Sequence, residues 1–140
     1  MSGLLFGHDQ AVAEWVSNQK YGKPFHPPYT AIGVITDEGK ISGGFVFTTY
    51  TGSSVNLSLA GDGVVYRGAW RGVLHYVFEQ MKCSRLECHT AVSNKIVRRS
   101  LPRLGFKFEG TARRLYGAEN GLCFSLTVDD LTEFRRRWRI

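Results

Sequence analysis

The chain has 140 residues, 43% of them hydrophobic, and a formal net charge of +6. That is enough apolar material for one domain with a single core, and it excludes a disordered chain. An isoelectric point near 9.5 favours an anionic partner, either a nucleic acid or a phosphate-rich cofactor.

The opening MSGLLFGHDQ lacks the basic flank and long apolar core of a signal peptide, and with Met1 in place the chain is expected to be complete. No apolar run anywhere approaches the roughly 18–20 residues needed to span a membrane. Val12, Trp15 and Val16 fall at i, i+3 and i+4, which predicts a helix over 9–18. Pro24, Pro27 and Pro28 make 21–29 a loop. Three β-branched and aromatic runs follow, over 30–36, 41–49 and 55–60, with short turns at Asp37-Glu38-Gly39, Thr51-Gly52-Ser53 and Gly61-Asp62-Gly63. Runs and turns of this kind predict an antiparallel meander.

The strongest helix is expected over 68–82, with Ala69, Val73, Val77 and Met81 on one face and Trp70, Leu74 and Phe78 beside it. A strand over 85–92 comes next. Asn94, a favoured N-cap, then opens a helix that Gly105 stops. Pro102 lacks an amide donor and crowds the Arg98 carbonyl, so a kink or a loosened last turn is expected there. Strands over 106–116 and 122–128, joined through 117–121, lead into 129–140, a short basic helix or tail. Arg135, Arg136, Arg137 and Arg139 crowd that end, where a basic run is ordinarily a solvated terminus. The order is helix, three strands, helix, strand, helix, two strands, in a single domain over 1–140. Cys83, Cys88 and Cys123 are odd in number and lack metal-ligand spacing, so free thiols in a reducing cytoplasm are expected.

The stretch HTAVSNKIVRRSLPRLGFKFEG is a strand end, an Asn-capped helix and then Leu-Gly-Phe-x-x-Glu-Gly. It resembles the C-terminal half of the Gcn5-related N-acetyltransferases (GNAT), and in particular those that act on ribosomal-protein N-termini. The compact size is similar to forms carried by bacteriophages. The resemblance covers about 31–128. It implies an α/β fold with a mixed, mostly antiparallel twisted sheet and helices on both faces. The N-terminal region is shortened, because that fold usually opens with a strand and two helices and this chain has room for little more than one helix.

Read from the residues, 63–72 joins a strand to the strongest helix. Helix N-termini present free amides and a partial positive charge, so they bind phosphate. Gly68 lets a ligand approach the backbone, and Arg67 and Arg71 can reach phosphate oxygens. A plain basic helix start fits the same residues. The resemblance implies a loop for the pyrophosphate of acetyl-CoA here, built from Val65, Tyr66, Arg67, Gly68, Ala69, Trp70, Arg71 and Gly72. Trp70 stands where the family often has a second Gly. The resemblance also implies that the backbone around Leu59 pairs with the pantetheine and that Asn94 touches coenzyme A.

Alternation places Leu86, Cys88 and Thr90 on one face of the 85–92 strand and Glu87, His89 and Ala91 on the other. Acetyl transfer needs a neutral amine, so a base must take a proton, and an imidazole with an unperturbed pKa near 6.5 suits that task. His89 stands five residues before Asn94, the spacing of a proposed Glu base in the ribosomal-protein enzymes. A half-buried strand histidine with a hydrogen-bonded ring fits His89 equally well. Glu87 is a second candidate base, and Ser58 with Asn56 could position a water. The family often has a Tyr seven residues after the Asn, to protonate the leaving thiolate. Here that position is Leu101, and Ser100 beside it is expected to point elsewhere.

His8, His26 and His75 show no metal-ligand spacing, so no metal is expected. Arg98, Arg99, Arg103, Arg113 and Arg114 read as solvated faces, with Arg98 or Arg103 in reach of a cofactor phosphate. Trp15, Trp70 and Trp138 read as packing residues. The expectation is a cytoplasmic acetyl-CoA-dependent N-acetyltransferase acting on an amine of a protein, a peptide or a small molecule, in a host cytoplasm if phage-borne, with a homodimer left open. A binding protein of the same fold, weakly active or inactive and docking on a partner, is the alternative. Leu101, Trp70 and the trimmed N-terminus favour it. Charge alone supports a nucleic-acid binder.

Overall fold

A computed structural model of the protein describes residues 2–21 and 23–140, apart from the side chains of Lys20 and Tyr21. Met1, on which the expectation of a complete chain rested, and Gly22, inside the predicted 21–29 loop, lie outside the described residues. Among the described residues one seven-stranded sheet runs in the order β1-β2-β3-β4-β5-β7-β6. Its strands are β1 (Gly3–Leu5), β2 (Thr30–Ile35), β3 (Ile41–Thr48), β4 (Ser54–Ala60), β5 (Arg85–Ala91), β6 (Lys107–Ala112) and β7 (Gly121–Thr127). All neighbours pair antiparallel except β4 and β5, which are parallel. The helices are α1 (Asp9–Val16), α2 (Arg67–Leu74), α3 (Lys95–Leu104) and α4 (Leu131–Trp138).

The predicted meander is β2, β3 and β4. Two apolar clusters lie on the two sides of the sheet. Val12, Ala13 and Val16 of α1 pack on Ala31, Val46 and Ala60. The larger cluster joins Ile32, Phe45, Leu57, Leu86 and Phe124 to side chains of α2, α3 and α4. Helices thus cover both faces, as the mixed α/β expectation required.

Three features depart from the sequence reading. A short strand, β1, precedes the first helix and pairs Gly3, Leu4 and Leu5 with Ile35, Val34 and Gly33. Three residues are too few for alternation to register. The hairpin between β6 and β7 is wider than expected, because the chain leaves the ladder after Ala112. The Arg114 amide then donates to Asn120 Oδ1, with Arg114 at φ 54°. The terminal basic segment is not a solvated tail. A turn over Val128–Asp130 leads into α4, and Phe134, 2% exposed, packs in the main core. Arg135, Arg136 and Arg137 ride on a helix whose other face is apolar, and Arg139 closes it.

The strongest predicted helix forms, but only Arg67–Leu74 is regular; His75–Gln80 widens into a π-helical turn. Asn94 caps α3 as predicted, with Oδ1 accepting from the Val97 amide at 3.3 Å. The helix α3 runs through Pro102 and ends two residues later, where the Gly105 amide donates to both the Leu101 and Pro102 carbonyls. Gly105, at φ 121°, permits that close.

Candidate active site

The site arises where β4 and β5 part. Ser54, Val55 and Asn56 pair with Arg85, Leu86 and Glu87, and beyond them no backbone pairing joins the two strands. A parallel pair that stops halfway leaves a wedge between the later residues of each strand. Side chains bridge it instead. Cys88 Sγ donates to the Leu57 carbonyl at 3.3 Å, and His89 Nδ1 lies 2.9 Å from Asn56 Oδ1.

A cavity of about 570 Å³ opens on this wedge. One wall is Leu57, Leu59, Val64 and Val65; the other is Val97, Ser100, Leu101 and Leu104 of α3, with Cys88 and His89 at the fork. Val65 and Ile96, 66% and 80% exposed, form two apolar lips. The lining is mostly aliphatic, with few polar groups, which suits a long, slender ligand that is apolar at one end.

The wall at Val64 and Val65 is set by glycine and by a buried ring. Gly61 sits at φ 93°, and a Cβ there would run into the Ser42 carbonyl and the Trp15 ring. The chain then makes a tight turn over Asp62–Val65 and enters α2 at Tyr66, with no side-chain cap on the helix. Trp70 Nε1 donates to the Val64 carbonyl at 2.7 Å and so fastens this turn to α2. With no side-chain cap on α2, its start is the kind of backbone donor set that suits an anion.

On the α1 side of β5 lies a polar row. Arg85 bonds Glu87 at 2.8 Å and grips Glu109 through both terminal nitrogens, at 2.7 and 2.5 Å. Ser125 Oγ donates to Glu109 at 2.7 Å. The Arg85 and Ser125 bonds hold the Glu109 carboxyl down at a pKa of about 2. Burial pushes the Cys123 thiol up, with the neighbouring carboxylates adding to the rise. Glu87, His89 and Cys123 bring one ligand atom each within 4.8 Å of one another. The Arg85 guanidinium already supplies positive charge there, and Cys123 is held protonated, so the group is a poor cation site.

No protein-family model matches the sequence, and no curated protein matches it. Solved structures do match. The spermidine/spermine N-acetyltransferase SpeG from Vibrio cholerae aligns with a TM-score of 0.70 at 12% identity, over 98% of this chain and 99% of its own. A GCN5-related N-acetyltransferase from Brucella melitensis gives 0.70 at 18% identity, over 91% of this chain and 70% of its own. The N-acetyltransferase PseH from Campylobacter jejuni, in complex with acetyl coenzyme A, gives 0.57 at 19%, over 74% of this chain and 70% of its own. This chain has the GNAT fold. It spans 66% of the length of two further acetyltransferase structures that it matches.

Within this GNAT fold the expected site residues do not all converge. His89, Leu59 and Val65 line the cavity. Glu87 shares the face of His89 but is tied to Arg85, and Ser58 is on β4 beyond Asn56, on the α1 side. Tyr66 lays its ring against Gly68, where an added Cβ would meet it at 2.6 Å. Arg71, Gly68 and Gly72 line a separate hollow with Leu4, His75 and Arg135. A Cβ on Gly72 would meet Leu4 at 2.6 Å, so that glycine makes room for β1. Ala69 and Trp70 are fully buried, so neither side chain can meet a ligand at the loop. Arg67 is exposed at the start of α2, and Asn94 spends its Oδ1 on the α3 cap.

The expectation for Ser100 needs correcting. It lines the cavity, although its hydroxyl donates to the Ile96 carbonyl at 2.7 Å. The sequence reading missed the α3 residues Ile96, Val97 and Leu104, whose i, i+1, i+8 pattern carries no chemical mark. Tyr116 stands apart from the cavity lining, in the wide β6–β7 connection with its ring near Gly121. Burial raises its phenol pKa, and Cys88 contributes to the rise.

The Glu109 carboxyl gives a pH prediction. Its folded pKa is depressed, so its contribution to stability is present above the unfolded value near 4.5 and is lost as pH falls towards about 2. Denaturant unfolding at pH 7 and pH 3 should give a smaller stability difference for Glu109→Gln than for wild type. An identical acid loss in both proteins would show that Glu109 is energetically silent.

Proposed function

We propose that the protein is an acetyl-CoA-dependent N-acetyltransferase, with an amine of a protein, a peptide or a small molecule as acceptor. The observation that carries this reading is the β4–β5 wedge, which opens into a cavity of about 570 Å³ with His89 at its fork. The apolar walls suit the pantetheine arm, which would lie along the β4 edge around Leu59, where β5 has parted from it. The uncapped start of α2, with Arg67, suits the pyrophosphate, and the presence of acetyl coenzyme A in the related fold of PseH supports the choice of ligand.

The chemistry asked of the chain is small. The amine nitrogen forms a bond to the thioester carbonyl carbon, the carbon–sulfur bond breaks, and one proton leaves the nitrogen. His89 takes that proton in this reading. Leu101 has none to give to the departing thiolate, and the Ser100 hydroxyl is engaged with Ile96. A coenzyme A thiolate is a weak base, so water suffices as the donor, at some cost in rate.

Acetyl-CoA should therefore bind and stabilise the fold. At a ligand concentration a hundredfold above its dissociation constant, linkage gives about 2.7 kcal/mol. Isothermal titration with acetyl-CoA, followed by a thermal melt at the same ligand concentration, checks this. Folded protein that gives no heat and no shift at millimolar acetyl-CoA overturns the reading. Binding without turnover over a panel of amines would favour a docking protein instead.

A further inference from the structure

Past Asn56 the two central strands no longer pair, so a side chain must do across the wedge what the backbone ladder does elsewhere. Asn56 is placed for that task. It stands at the last paired position of the fork, opposite Glu87, and His89 is the next residue of β5 on the same face. Its amide is held from both ends. Nδ2 donates to Thr48 Oγ1 at 3.4 Å, from the position paired with Asn56 on β3, and Oδ1 faces His89 Nδ1 at 2.9 Å.

An amide oxygen has no hydrogen to offer, so the ring nitrogen that meets it must carry the proton. In a neutral imidazole the other nitrogen then keeps its lone pair. We propose that Asn56 is a positioning residue that fixes His89 in the Nδ1–H tautomer, so that Nε2 is the atom that accepts the acceptor's proton. The second half of this proposal rests on the reading of His89 as the base; the first half does not.

The charged and titratable groups around the ring come from three strands. Glu87 lies on β5 itself and is neutralised by Arg85; Cys123 is paired opposite His89 on β7; Glu109 on β6 completes the Arg85 pair. None of them bonds His89 Nδ1 in place of Asn56. All of them stay unchanged when Asn56 alone is replaced, so a change in His89 after that replacement reports on the amide.

The test uses the full chain labelled with 15N in its imidazoles. Long-range proton–nitrogen spectra at pH 8 identify the tautomer of His89, assigned by its absence from His89→Gln. The expected result is a protonated-type Nδ1 and a lone-pair-type Nε2, with the Nε2–H form gaining in Asn56→Leu. A wild-type ring in the Nε2–H form overturns the proposal, whether or not the protein transfers acetyl groups.

Kinetics test the second half. Asn56→Leu should lower kcat about tenfold or more while the KM for acetyl-CoA barely moves, because the wrong tautomer presents a hydrogen to the amine. Asn56→Asp puts a carboxylate against Nδ1, stabilises the imidazolium and should move the acid limb of the rate profile up by about 1 pH unit or more. Lower rates in both variants with an unmoved acid limb would mean that Asn56 merely ties the strands together, and would overturn this half. A protein that shows the expected tautomer and transfers nothing would overturn the function assigned to the site and not the tautomer.

Discussion

Trp70→Ala is expected to destabilise the fold by about 3–5 kcal/mol, the range for removing a large buried ring. Trp70 has 0% exposure and is among the largest fully buried side chains. Its ring meets Phe45 of β3 at 5.2 Å between centroids, Phe106 at 5.9 Å, and Phe134 and Trp138 of α4 at 5.7 Å each. One residue therefore joins α2 to the sheet and to the last helix. Edge-on aromatic pairs add to the loss beyond area alone. The substitution also removes the donor to the Val64 carbonyl, so the turn that walls the cavity loses its tie to α2. Trp70→Phe keeps most of the packing and lacks the hydrogen bond; a loss of about 1–2 kcal/mol is expected for it. Denaturant unfolding of the three proteins measures both differences. A Trp70→Ala cost below about 1 kcal/mol would mean that the ring cluster does not hold α4 to the domain.

That same residue marks how far the sequence could be read. RGAWRG at a helix start suggested a ligand loop with an awkward tryptophan. Helical spacing also put Trp70 beside Ala69 and Val73, and burial of that face decides its role. The meander, the Asn94 cap, the Gly105 stop and the alternation of β5 were legible because each is a local rule acting on adjacent residues. The burial of Leu86, Cys88 and Thr90 against Glu87, His89 and Ala91 follows that alternation. The wedge follows from no local pattern, because it depends on where two strands far apart in sequence stop pairing; only the family resemblance implied that the 85–92 strand splays from the 55–60 strand, as it does. The second hollow, which takes up Arg71 and Gly72, was hidden for a related reason: it is created by β1, too short to leave a pattern. The terminal arginines read as a solvated tail because charge dominates composition, while Leu131, Phe134, Trp138 and Ile140 pack the segment on the core.

His89→Ala should lower the rate of acetyl transfer by about 10²–10⁴-fold, the usual worth of a positioned acid or base. Three observations converge on this residue. His89 lines the cavity at the fork of β4 and β5. Its Nδ1 lies 2.9 Å from Asn56 Oδ1, a contact that fixes the ring. The competing base on the same face, Glu87, is engaged by Arg85 at 2.8 Å and is turned to that partner. Affinity for acetyl-CoA should change little, since the imidazole is not among the groups suited to the phosphates. The wild-type rate should fall on the acid side, because an imidazolium cannot take a further proton. His89→Ala should lose that limb along with the rate. Single-turnover measurements on both proteins, from acid to mildly alkaline pH and at saturating acetyl-CoA, separate the chemical step from binding. A variant within threefold of wild type, with the same pH profile, would make His89 a structural strand residue and return the role of base to Glu87 or to a water held by Ser58.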